Sequence, residues 1–423
     1  MAGSVSAPFS SVDAILDDVQ RRTLRYFWDF AHPVSGMARE RSNAASYDFL
    51  ATVTSGGTGF GVMALLVGAS RGFLPRDAVR ERVARIVGFL QAAQSYHGVF
   101  PHFLDGADGS TIPFSEKDDG GDLVETAFLM TGLLCARQFF DGAAPEEARL
   151  REGVDALWQA VEWDWHAPGG RDSLLWHWSP RHHWSMNHPI TGWNECLIAY
   201  VLAVASPTHA IPPSHYHRGW TASPTFRNGR RYCGIALPLG PPYGGPLFFS
   251  HYSFLGLDPR GLRDRYADYW EQNRAHTLIN RAHCVANPHK HVGYGLNCWG
   301  LTACDGDAGY GAFCPQNDRG VIAPTAALSA MPYAPEESVA ALRFFYEDLG
   351  ADIYHPHGFA DAFNASRGWV AESHLAIDQG PIVAMIENHR SALLWRLFMS
   401  CPEIRAALRR LDFESPWLSE AQV

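Results

Sequence analysis

The sequence predicts an all-α toroid formed by a single domain, residues 1–423, whose long loops build a binding cleft. Apolar residues recur at helical spacing in many segments, whereas no comparably long set of alternating strand patterns is present. Connections as long as those between these segments are unusual in a compact protein and generally carry function. The Gly-, Pro- and aromatic-rich loops lie at 97–117, 163–189, 206–248 and 285–322.

The first helix is predicted over 12–30, where Ser11 can cap an apolar pattern of helical period. The glycine-rich stretch 52–61 resembles a phosphate-binding loop only superficially, because it has neither the lysine of that motif nor a preceding strand with the required spacing. We interpret it as the closely packed start of a helix that continues through 62–67. Helical periodicity predicts further helices at 76–96, 121–140, 146–162, 190–205, 261–284, 323–330, 335–349, 373–389 and 391–411.

Composition excludes several classes of protein. A hydrophobic fraction of 47% with 18% charged residues indicates an ordered globular chain with much buried surface. A net charge of -10 makes a nucleic-acid partner improbable, because phosphate binding needs clustered Lys and Arg. No apolar run reaches the roughly 18 residues of a membrane span. We expect a monomer or weak homodimer without nucleic-acid or membrane partners.

The N-terminus, residues 1–10, lacks the charged and apolar regions of an export signal, and we expect it to be a flexible leader. The protein is then cytoplasmic, or periplasmic if an export signal has been removed. Aromatic residues make up 13% of the chain and often stand beside polar ones, as in Trp176-His177-Trp178. Such rings can form the floor of a sugar site, although most of them must serve core packing.

The cysteines do not indicate a disulfide framework or a metal centre. The eight cysteines contain no C-x-x-C pair, and Cys135 and Cys196 fall within apolar helical runs, where buried thiols are usual. A zinc site drawing on His283, His289, His291, Cys298 and Cys304 matches no known ligand spacing. We therefore expect no metal and no cofactor.

The stretch 117–128 concentrates negative charge. Asp118, Asp122 and Glu125 stand at positions i, i+4 and i+7, which a helix gathers onto one face. Apolar residues at helical spacing follow, so we expect a helix whose first turn faces a cavity. The alternative is a solvated helix start, because acids favour the first turn through the helix dipole. Gly120 and Gly121 argue against it, since glycine is usually kept where backbone or ligand comes close.

With Asp119, the same stretch fits the D-D-x-x-D pattern with which all-helical terpene synthases hold magnesium and a diphosphate. Such an enzyme also needs a second acidic metal motif on a late helix and a mostly apolar pocket. This chain instead offers isolated acids among Trp, His, Asn and Arg. A hydroxyl-rich ligand fits these residues better.

Two isolated acids stand in apolar surroundings. Glu195 precedes an apolar helical run, where partial desolvation would raise its pKa and suit it to donate a proton. The alternative is a capping box in which Thr191 or Gly192 caps the helix and Glu195 reaches back to a backbone amide. Asp378 is also alone among apolar residues, and burial without a partner would be costly, so it has either a partner or a task.

Polar side chains that can grip hydroxyl groups occur in several other segments. Arg274 and His276 share one predicted helix, and Asn317 and Asp318 lie in a long loop. An arginine such as Arg274 paired with an acid in a buried network is at least as common as a ligand contact. Both roles therefore stay open for these residues.

A family resemblance extends over about residues 50–400, with its segments in matching order. The segments are Asp118-Asp119-Gly120-Gly121-Asp122-Leu123-Val124-Glu125-Thr126, Trp193-Asn194-Glu195, Ala205-Ser206-Pro207-Thr208-His209, Gly245-Pro246-Leu247-Phe248-Phe249, His251-Tyr252-Ser253-Phe254, Asn273-Arg274-Ala275-His276, Asn317-Asp318-Arg319-Gly320-Val321-Ile322-Ala323-Pro324-Thr325-Ala326-Ala327-Leu328 and Ala376-Ile377-Asp378-Gln379-Gly380-Pro381. In these residues the chain resembles the bacterial glucoamylase-like domain, glycoside hydrolase family 144.

The resemblance implies an (α/α)6 toroid that hydrolyses linear or cyclic β-1,2-glucan to sophorose or sophoro-oligosaccharides, generally with inversion at the anomeric carbon. It also implies Glu195 as general acid and Asp378 as the leading base candidate. Asp118, Asp122 and Glu125 then bind sugar hydroxyls or relay a proton. Further substrate-binding residues expected from the same segments are Asp119, Trp193, Asn194, His251, Tyr252, Arg274, His276, Asn317, Asp318 and Gln379.

Other functions stay open at this point. An inverting glycosidase needs carboxyl groups about 6.5–9.5 Å apart and a retaining one about 5–5.5 Å, and a sequence gives no distance. Domains related to this family in cyclic glucan synthases act as transglycosylases. A non-catalytic glucan-binding protein and a magnesium-dependent terpene synthase are the alternatives from other classes.

Overall fold

The structure is a computed structural model that describes residues 11–42 and 51–419, and helices dominate it. The predicted leader, residues 1–10, lies outside the described residues. The helices are α1 Val12–Trp28, α2 Ser55–Ser70, α3 Arg76–Ala92, α4 Leu123–Phe139, α5 Pro145–Ala160, α6 Leu197–Ala205, α7 Tyr269–Ala286, α8 Pro324–Leu328, α9 Pro335–Arg343, α10 Gly350–Ile353, α11 Ala376–Ser391, α12 Leu393–Met399 and α13 Pro402–Arg410.

The helices form an inner and an outer layer. α2, α6 and α8 are buried over almost their whole lengths, as are the first three turns of α4 and α11. α1, α3, α5, α9 and α13 instead bury one face and expose the other, as their mixed composition requires. Within the inner layer α2 packs against α4 and α11, and α4 packs against α6. α1 covers α2 and α11 from outside, while α3 packs on α5.

Glycines set the close contact between α2 and α4. A Cβ atom on Gly59 would come within 2.2 Å of the Phe128 carbonyl oxygen, and one on Gly132 within 2.1 Å of the Gly59 carbonyl oxygen. The two backbones therefore touch where the helices cross. The glycine-rich stretch is thus the start of a closely packed helix from Ser55 onward, as predicted. Its first three residues, Thr52–Thr54, instead form a short strand that the sequence did not predict.

Short antiparallel strands lie in the loops that connect the helices. They are β1 Thr52–Thr54, β2 Phe103–Asp105, β3 Thr111–Ile112, β4 Gly121–Asp122, β5 His177–Trp178, β6 Arg227–Tyr232, β7 Ile235–Leu239, β8 Ala303–Cys304, β9 Gly311–Ala312, β10 Tyr354–His355, β11 Gly358–Phe359, β12 Phe363–Asn364 and β13 Trp369–Val370. β1, β2 and β3 form one sheet, and the others pair two by two in chain order. The pairing of β4 with β5 sets Asp122 opposite His177.

Several predicted helix boundaries are wrong for local backbone reasons. The helix predicted at 190–205 begins at Leu197, because Gly192 adopts a left-handed conformation with φ 81°. The helix predicted at 261–284 begins at Tyr269, where the Asp268 side chain accepts hydrogen bonds from two backbone amides. The helix predicted at 121–140 begins at Leu123, because Gly121 is extended in β4.

Two predicted helices are divided. The segment 391–411 forms α12 and α13, because Pro402 cannot donate the backbone hydrogen bond of a continuous helix and Cys401 before it is extended. The segment 335–349 forms α9, which continues into a π-helical turn at Phe344–Asp348. Within residues 11–42 and 51–419, no helix is both long and apolar enough to cross a membrane.

Candidate active site

A cavity of about 510 Å³ opens at the N-terminal ends of the inner helices. Thr54 stands at the N-cap of α2, Glu125 in the first turn of α4, Glu195 just before α6 and Ile377 in the first turn of α11. Long loops complete the wall. The other lining residues are Glu40, Arg41, His102, Phe103, Phe114, Phe128, Trp176, Phe248, Tyr252, Ala303, Tyr310 and Leu375.

Glu125 is fixed in the cavity wall by the start of α2. Its Oε2 atom accepts hydrogen bonds from the Gly56 backbone amide at 2.8 Å and the Thr54 hydroxyl at 3.4 Å. Glycine at position 56 leaves room for this carboxylate, because a Cβ atom there would lie 2.4 Å from Glu125 Oε2 and displace it. Burial raises the pKa of Glu125 above its usual range.

Asp122 is the N-cap of α4. Its Oδ1 atom accepts hydrogen bonds from the backbone amides of Val124 at 3.0 Å and Glu125 at 2.9 Å. The other oxygen lies 3.3 Å from His102 Nδ1. Burial raises the pKa of Asp122, but His102, His177 and the Glu125 amide outweigh it, so the pKa is lowered overall. Asp122 is therefore an anion at neutral pH.

His102 lies between two of the acids, and its Nε2 atom is 4.0 Å from Glu125 Oε1. Burial lowers the pKa of His102, but the charges of Glu125 and Asp122 and the hydrogen bond to Asp122 raise it to about 9. The imidazole is therefore protonated at neutral pH. This positive charge was not apparent in the sequence, because His102 stands in a loop without a recognisable motif.

Asp118 joins the same cluster through His177, whose Nε2 atom is 3.3 Å from Asp118 Oδ2 and 3.6 Å from Asp122 Oδ2. Burial and the negative charge of Asp122 raise the pKa of Asp118 to about 7. The three predicted acids thus converge, but the predicted helix face is wrong. Only Glu125 lies within α4, since Asp122 caps the helix and Asp118 precedes β4.

Asp119 pairs with Arg181 at 2.5 Å between Oδ2 and Nε. Burial raises the pKa of Asp119, but the hydrogen bonds from Ser179 and Arg181 outweigh it and lower the pKa overall. The acids of the D-D-x-x-D pattern are therefore divided between two sets of partners.

His102, Asp118 and Asp122 place possible ligand atoms within 4.8 Å of one another in the part of the chain that the structure describes. In this structure His102 lies against the free Asp122 oxygen, and His177 lies against Asp118, so these carboxylates already have partners. We propose no metal at this cluster.

Glu195 contributes a second carboxyl group to the cavity wall and is 8% exposed. Burial raises its pKa to about 7, and the charges of Glu125 and Asp122 act in the same direction. The capping box considered from the sequence is not formed, because Cys196 is the N-cap of α6 and has no side-chain capping hydrogen bond. Ser253 fixes this turn by donating a hydrogen bond to the Glu195 carbonyl oxygen and accepting one from the Ile198 amide.

Asp378 lies in the first turn of α11 and is 1% exposed. Its backbone carbonyl oxygen accepts a hydrogen bond of 2.7 Å from the Thr325 hydroxyl. The Tyr252 hydroxyl bonds its side chain, and the Tyr252 ring lines the cavity. Burial, and then the neighbouring carboxyl group of Asp361, raise the pKa of Asp378 well above its usual range. The lone acid in the sequence therefore does have a partner.

Arg41 links this region to the opposite loop. Its guanidinium group bonds both carboxylate oxygens of Glu40, at 2.7 and 3.0 Å, and both of Asp305, at 3.1 and 3.2 Å. Arg41, Asp305 and Asp361 were not among the residues predicted from the sequence. They come from separate loops, and only folding brings them together.

Four residues predicted to bind substrate are held in the interior. Trp193 is 3% exposed and packs against the rings of Trp220, Phe226, Phe254 and Tyr269. The remaining three are His251, which is 2% exposed, His276, which bonds Ser250 Oγ and the Gly245 carbonyl oxygen, and Gln379, which donates to the Phe359 carbonyl oxygen.

Four others hold loops and helix ends. Asn194 accepts a hydrogen bond from the Cys196 amide, and Arg274 donates one to the Tyr333 carbonyl oxygen. Asn317 donates to the Ala312 carbonyl oxygen. Asp318 bonds His283 Nε2 and the Tyr294 hydroxyl, each at 2.8 Å. Of the additional substrate-binding residues predicted, Tyr252 lines the cavity.

Comparison with known proteins reveals close relatives over the full fold. The endo-β-1,2-glucanase of Chitinophaga pinensis, in a complex with sophorotriose and glucose, is 52% identical with a TM-score of 0.95. The match covers 97% of this chain and 100% of that chain. The exo β-1,2-glucooligosaccharide sophorohydrolase (non-reducing end) of Parabacteroides distasonis is 42% identical over 95% of this chain. This chain spans 58% of the length of that curated relative.

The glucoamylase of Hormoconis resinae is similar in fold alone, at 10% identity and a TM-score of 0.51 over 90% of this chain and 73% of that chain. The likeness confirms the predicted (α/α)6 toroid. A sequence model of the family described as "Putative glucoamylase" matches residues 187–402. The chain belongs to the glucoamylase-like family, glycoside hydrolase family 144, as the sequence motifs predict.

Proposed function

We propose that this chain hydrolyses β-1,2-glucan in the cavity, with Glu195 as general acid. The proposal rests on one observation. The Glu195 carboxyl group lies in the cavity wall, and burial raises its pKa to about 7. A carboxyl group that keeps its proton near neutral pH can protonate the leaving oxygen of a glycosidic bond. The relatives from Chitinophaga pinensis and Parabacteroides distasonis, both named for activity on β-1,2-glucan, support this substrate.

Inversion at the anomeric carbon requires a second carboxyl group that activates water on the opposite face of the sugar. We assign this role to Asp378, whose partner Tyr252 lines the cavity. Glu195 would give its proton to the glycosidic oxygen while water adds to the anomeric carbon. Asp378 would take the proton that this water loses, so the reaction consumes one water for each bond.

The other acids suit the binding of sugar hydroxyls. Glu125 lines the cavity, and neighbouring Asp122 is kept ionised by His102 and His177, so both can accept hydrogen bonds from a ligand. Asp118, with a pKa of about 7, can both donate and accept, and so can relay a proton. We expect these residues to position glucosyl units beside Glu195.

Exposed aromatic rings fit the apolar faces of glucosyl units. Phe114 and Tyr310 line the cavity although they are 55% and 56% exposed, so other side chains cover them only in part. Trp176 and Phe248 add further rings to the wall. A sugar ring can cover such a surface with its C–H groups while its hydroxyls reach the acids.

The proposal is tested by incubating the protein with linear and cyclic β-1,2-glucan, with and without a chelator, and measuring released oligosaccharides. We expect sophorose or sophoro-oligosaccharides in both conditions, and a loss of kcat of about 10²–10⁴ in Glu195→Gln. Glu146→Gln is the matched control, because Glu146 is half-exposed and pairs with Arg149 on α5. It should keep full activity.

The alternatives give other outcomes. A retaining transglycosylase would lengthen or cyclise the glucan instead of releasing new reducing ends. A non-catalytic glucan-binding protein would bind glucan equally well as wild type and as Glu195→Gln, without releasing product. Size-exclusion chromatography with light scattering tests the expectation of a monomer or weak homodimer.

A further inference from the structure

Asp361 is a buried acid that the proposed reaction does not use directly. It is 1% exposed, and its Oδ2 atom accepts a hydrogen bond of 2.7 Å from the Asp305 backbone amide. Its own backbone amide donates to the Ser373 carbonyl oxygen at 2.9 Å. The loop that carries Asp361 is therefore fixed, and the side chain lies within hydrogen-bonding reach of the Asp378 carboxyl group.

Each of these two carboxyl groups keeps one oxygen without a partner among the described residues. These atoms are Asp361 Oδ1 and Asp378 Oδ2, and both are fully buried. An ionised carboxylate can only accept hydrogen bonds, so two carboxylates cannot bond each other. A single proton between them satisfies both oxygens and removes the repulsion of two buried like charges.

No basic side chain among the described residues pairs with these two carboxyl groups and so removes the repulsion between them. Arg41, on the neighbouring loop, is bound to the carboxylates of Glu40 and Asp305. The other titratable groups that act on the pair are the Asp305 carboxylate and the side chains of Tyr26, Tyr252, Cys304 and Tyr310.

We propose that Asp361 and Asp378 share one proton, and that Asp361 is the positioning residue that holds the Asp378 carboxylate for its reaction with water. This inference rests on the role of Asp378 proposed above. Beyond the effect of burial, their hydrogen bond raises the pKa of Asp378 and lowers that of Asp361, so Asp378 holds the proton in the free protein. Transfer of this proton to Asp361 leaves Asp378 as the anion that accepts hydrogen bonds from Asp361 and Tyr252. When Asp378 takes a proton from water, the pair holds two protons, and one must leave to solvent before the next cycle.

Infrared spectroscopy of the free protein, with and without ¹³C in its aspartate side chains, tests the shared proton without any activity measurement. At mildly alkaline pH Asp118, with a pKa of about 7, is ionised, and we expect a protonated aspartate carboxyl band to remain. In Asp361→Asn and in Asp378→Asn the band should disappear at a lower pH than in the wild type, because the remaining carboxyl group no longer ionises beside a negative charge. Asp118→Asn is the control and should leave the band unchanged.

Absence of the band in the wild type, or the same pH midpoint in Asp361→Asn as in the wild type, would overturn the proposal. Activity separates the two claims. If Asp378→Asn hydrolyses glucan at the wild-type rate while the band behaves as expected, the shared proton stands and the base role of Asp378 is contradicted. Asp361→Asn should retain more activity than Asp361→Ala, because the amide can still donate to Asp378 and accept from the Asp305 amide.

Discussion

The Glu195 carboxyl group combines access to the cavity with a site that disfavours its ionised form. Burial is the first cause of its raised pKa, and the negative charges of Glu125 and Asp122 add to it. A general acid is most useful when its pKa lies near the working pH, because it must be protonated and still able to give the proton away. Glu195 meets both conditions near neutrality.

The pH dependence of the reaction follows from this value. Because Glu195 must be protonated to act, kcat/KM should fall as pH rises through about 7, the pKa of its carboxyl group. Initial rates on a β-1,2-glucan oligosaccharide, measured from acidic to alkaline pH, check this limb. Return to neutral pH after alkaline incubation must restore the rate. A rate that stays constant well above pH 7 would contradict the role of Glu195.

Replacing Glu195 with Gln should increase the stability of the protein at alkaline pH, although it removes the activity. The folded pKa of Glu195 is about 7 against an ordinary value of 4.5, so the folded state binds more protons between these values. The free energy of unfolding contributed by this group is therefore lost as pH rises through that window. Glu195→Gln avoids the loss and should be more stable than the wild type at about pH 8, by about 3 kcal/mol.

Denaturant unfolding of both proteins at about pH 4 and about pH 8 measures this difference. The two proteins should have similar stabilities at the lower pH, where Glu195 is largely protonated whether folded or unfolded. A variant that is less stable than the wild type at both pH values would show that Glu195 has a structural role instead.

The sequence predicted part of this site, because some of its signals are local. Glu195 and Asp378 stand alone among apolar residues, and the pKa of each is raised by burial, as such surroundings indicate. His102 and Asp361 carry no local signal, since their importance arises from neighbours far away in the chain. Trp193 has the opposite outcome. It stands beside Glu195 in a family motif and was predicted to bind substrate, but it packs into the core.

At the scale of elements, the contact between α2 and α4 positions an acid as well as packing the core. Gly56 donates its amide to Glu125 and leaves no room for a Cβ atom. Gly56→Ala should push the Glu125 carboxylate from its place, lower the free energy of unfolding by about 1–3 kcal/mol, and raise KM about tenfold. Steady-state kinetics and denaturant unfolding measure the two effects.

Gly88→Ala is the matched control. Gly88 is an exposed helical glycine in α3, and a Cβ atom there would meet no heavy atom within 4 Å. Alanine should stabilise the helix by about 0.5–1 kcal/mol and leave KM unchanged. If both alanine variants have the same kinetics, the position of Glu125 does not depend on Gly56.

Helices were predictable from the sequence because their apolar period is local, whereas their ends depend on single backbone positions. α1 begins at Val12 as predicted, with Ser11 as its N-cap. Gly192 and Pro402 shift or divide helices whose apolar pattern continues past them. The hairpin of β6 and β7 lies in a loop that carries no alternating pattern, because most of the β6 side chains are exposed.

At the scale of the whole molecule, two large buried apolar clusters occupy the described residues, one extending from Leu24 to Phe413 and the other from Ile15 to Ile386. Helices α1 and α11 contribute residues to both clusters, so neither cluster belongs to a separate part of the chain. We therefore expect a single cooperative unfolding transition, in which the calorimetric and van't Hoff enthalpies agree. Two separated transitions in scanning calorimetry would contradict the prediction of one domain.

The inverting reaction proposed for the toroid determines the anomeric configuration of the product that is first released. Attack of water on the face opposite the β linkage must release a reducing end in the α configuration before mutarotation. Proton NMR of β-1,2-glucan, recorded within the first minutes after mixing with protein, tests this most directly. We expect an initial excess of the α anomer with the wild type and no product with Glu195→Gln. An initial excess of the β anomer, or release by Glu195→Gln at the wild-type rate, would contradict it.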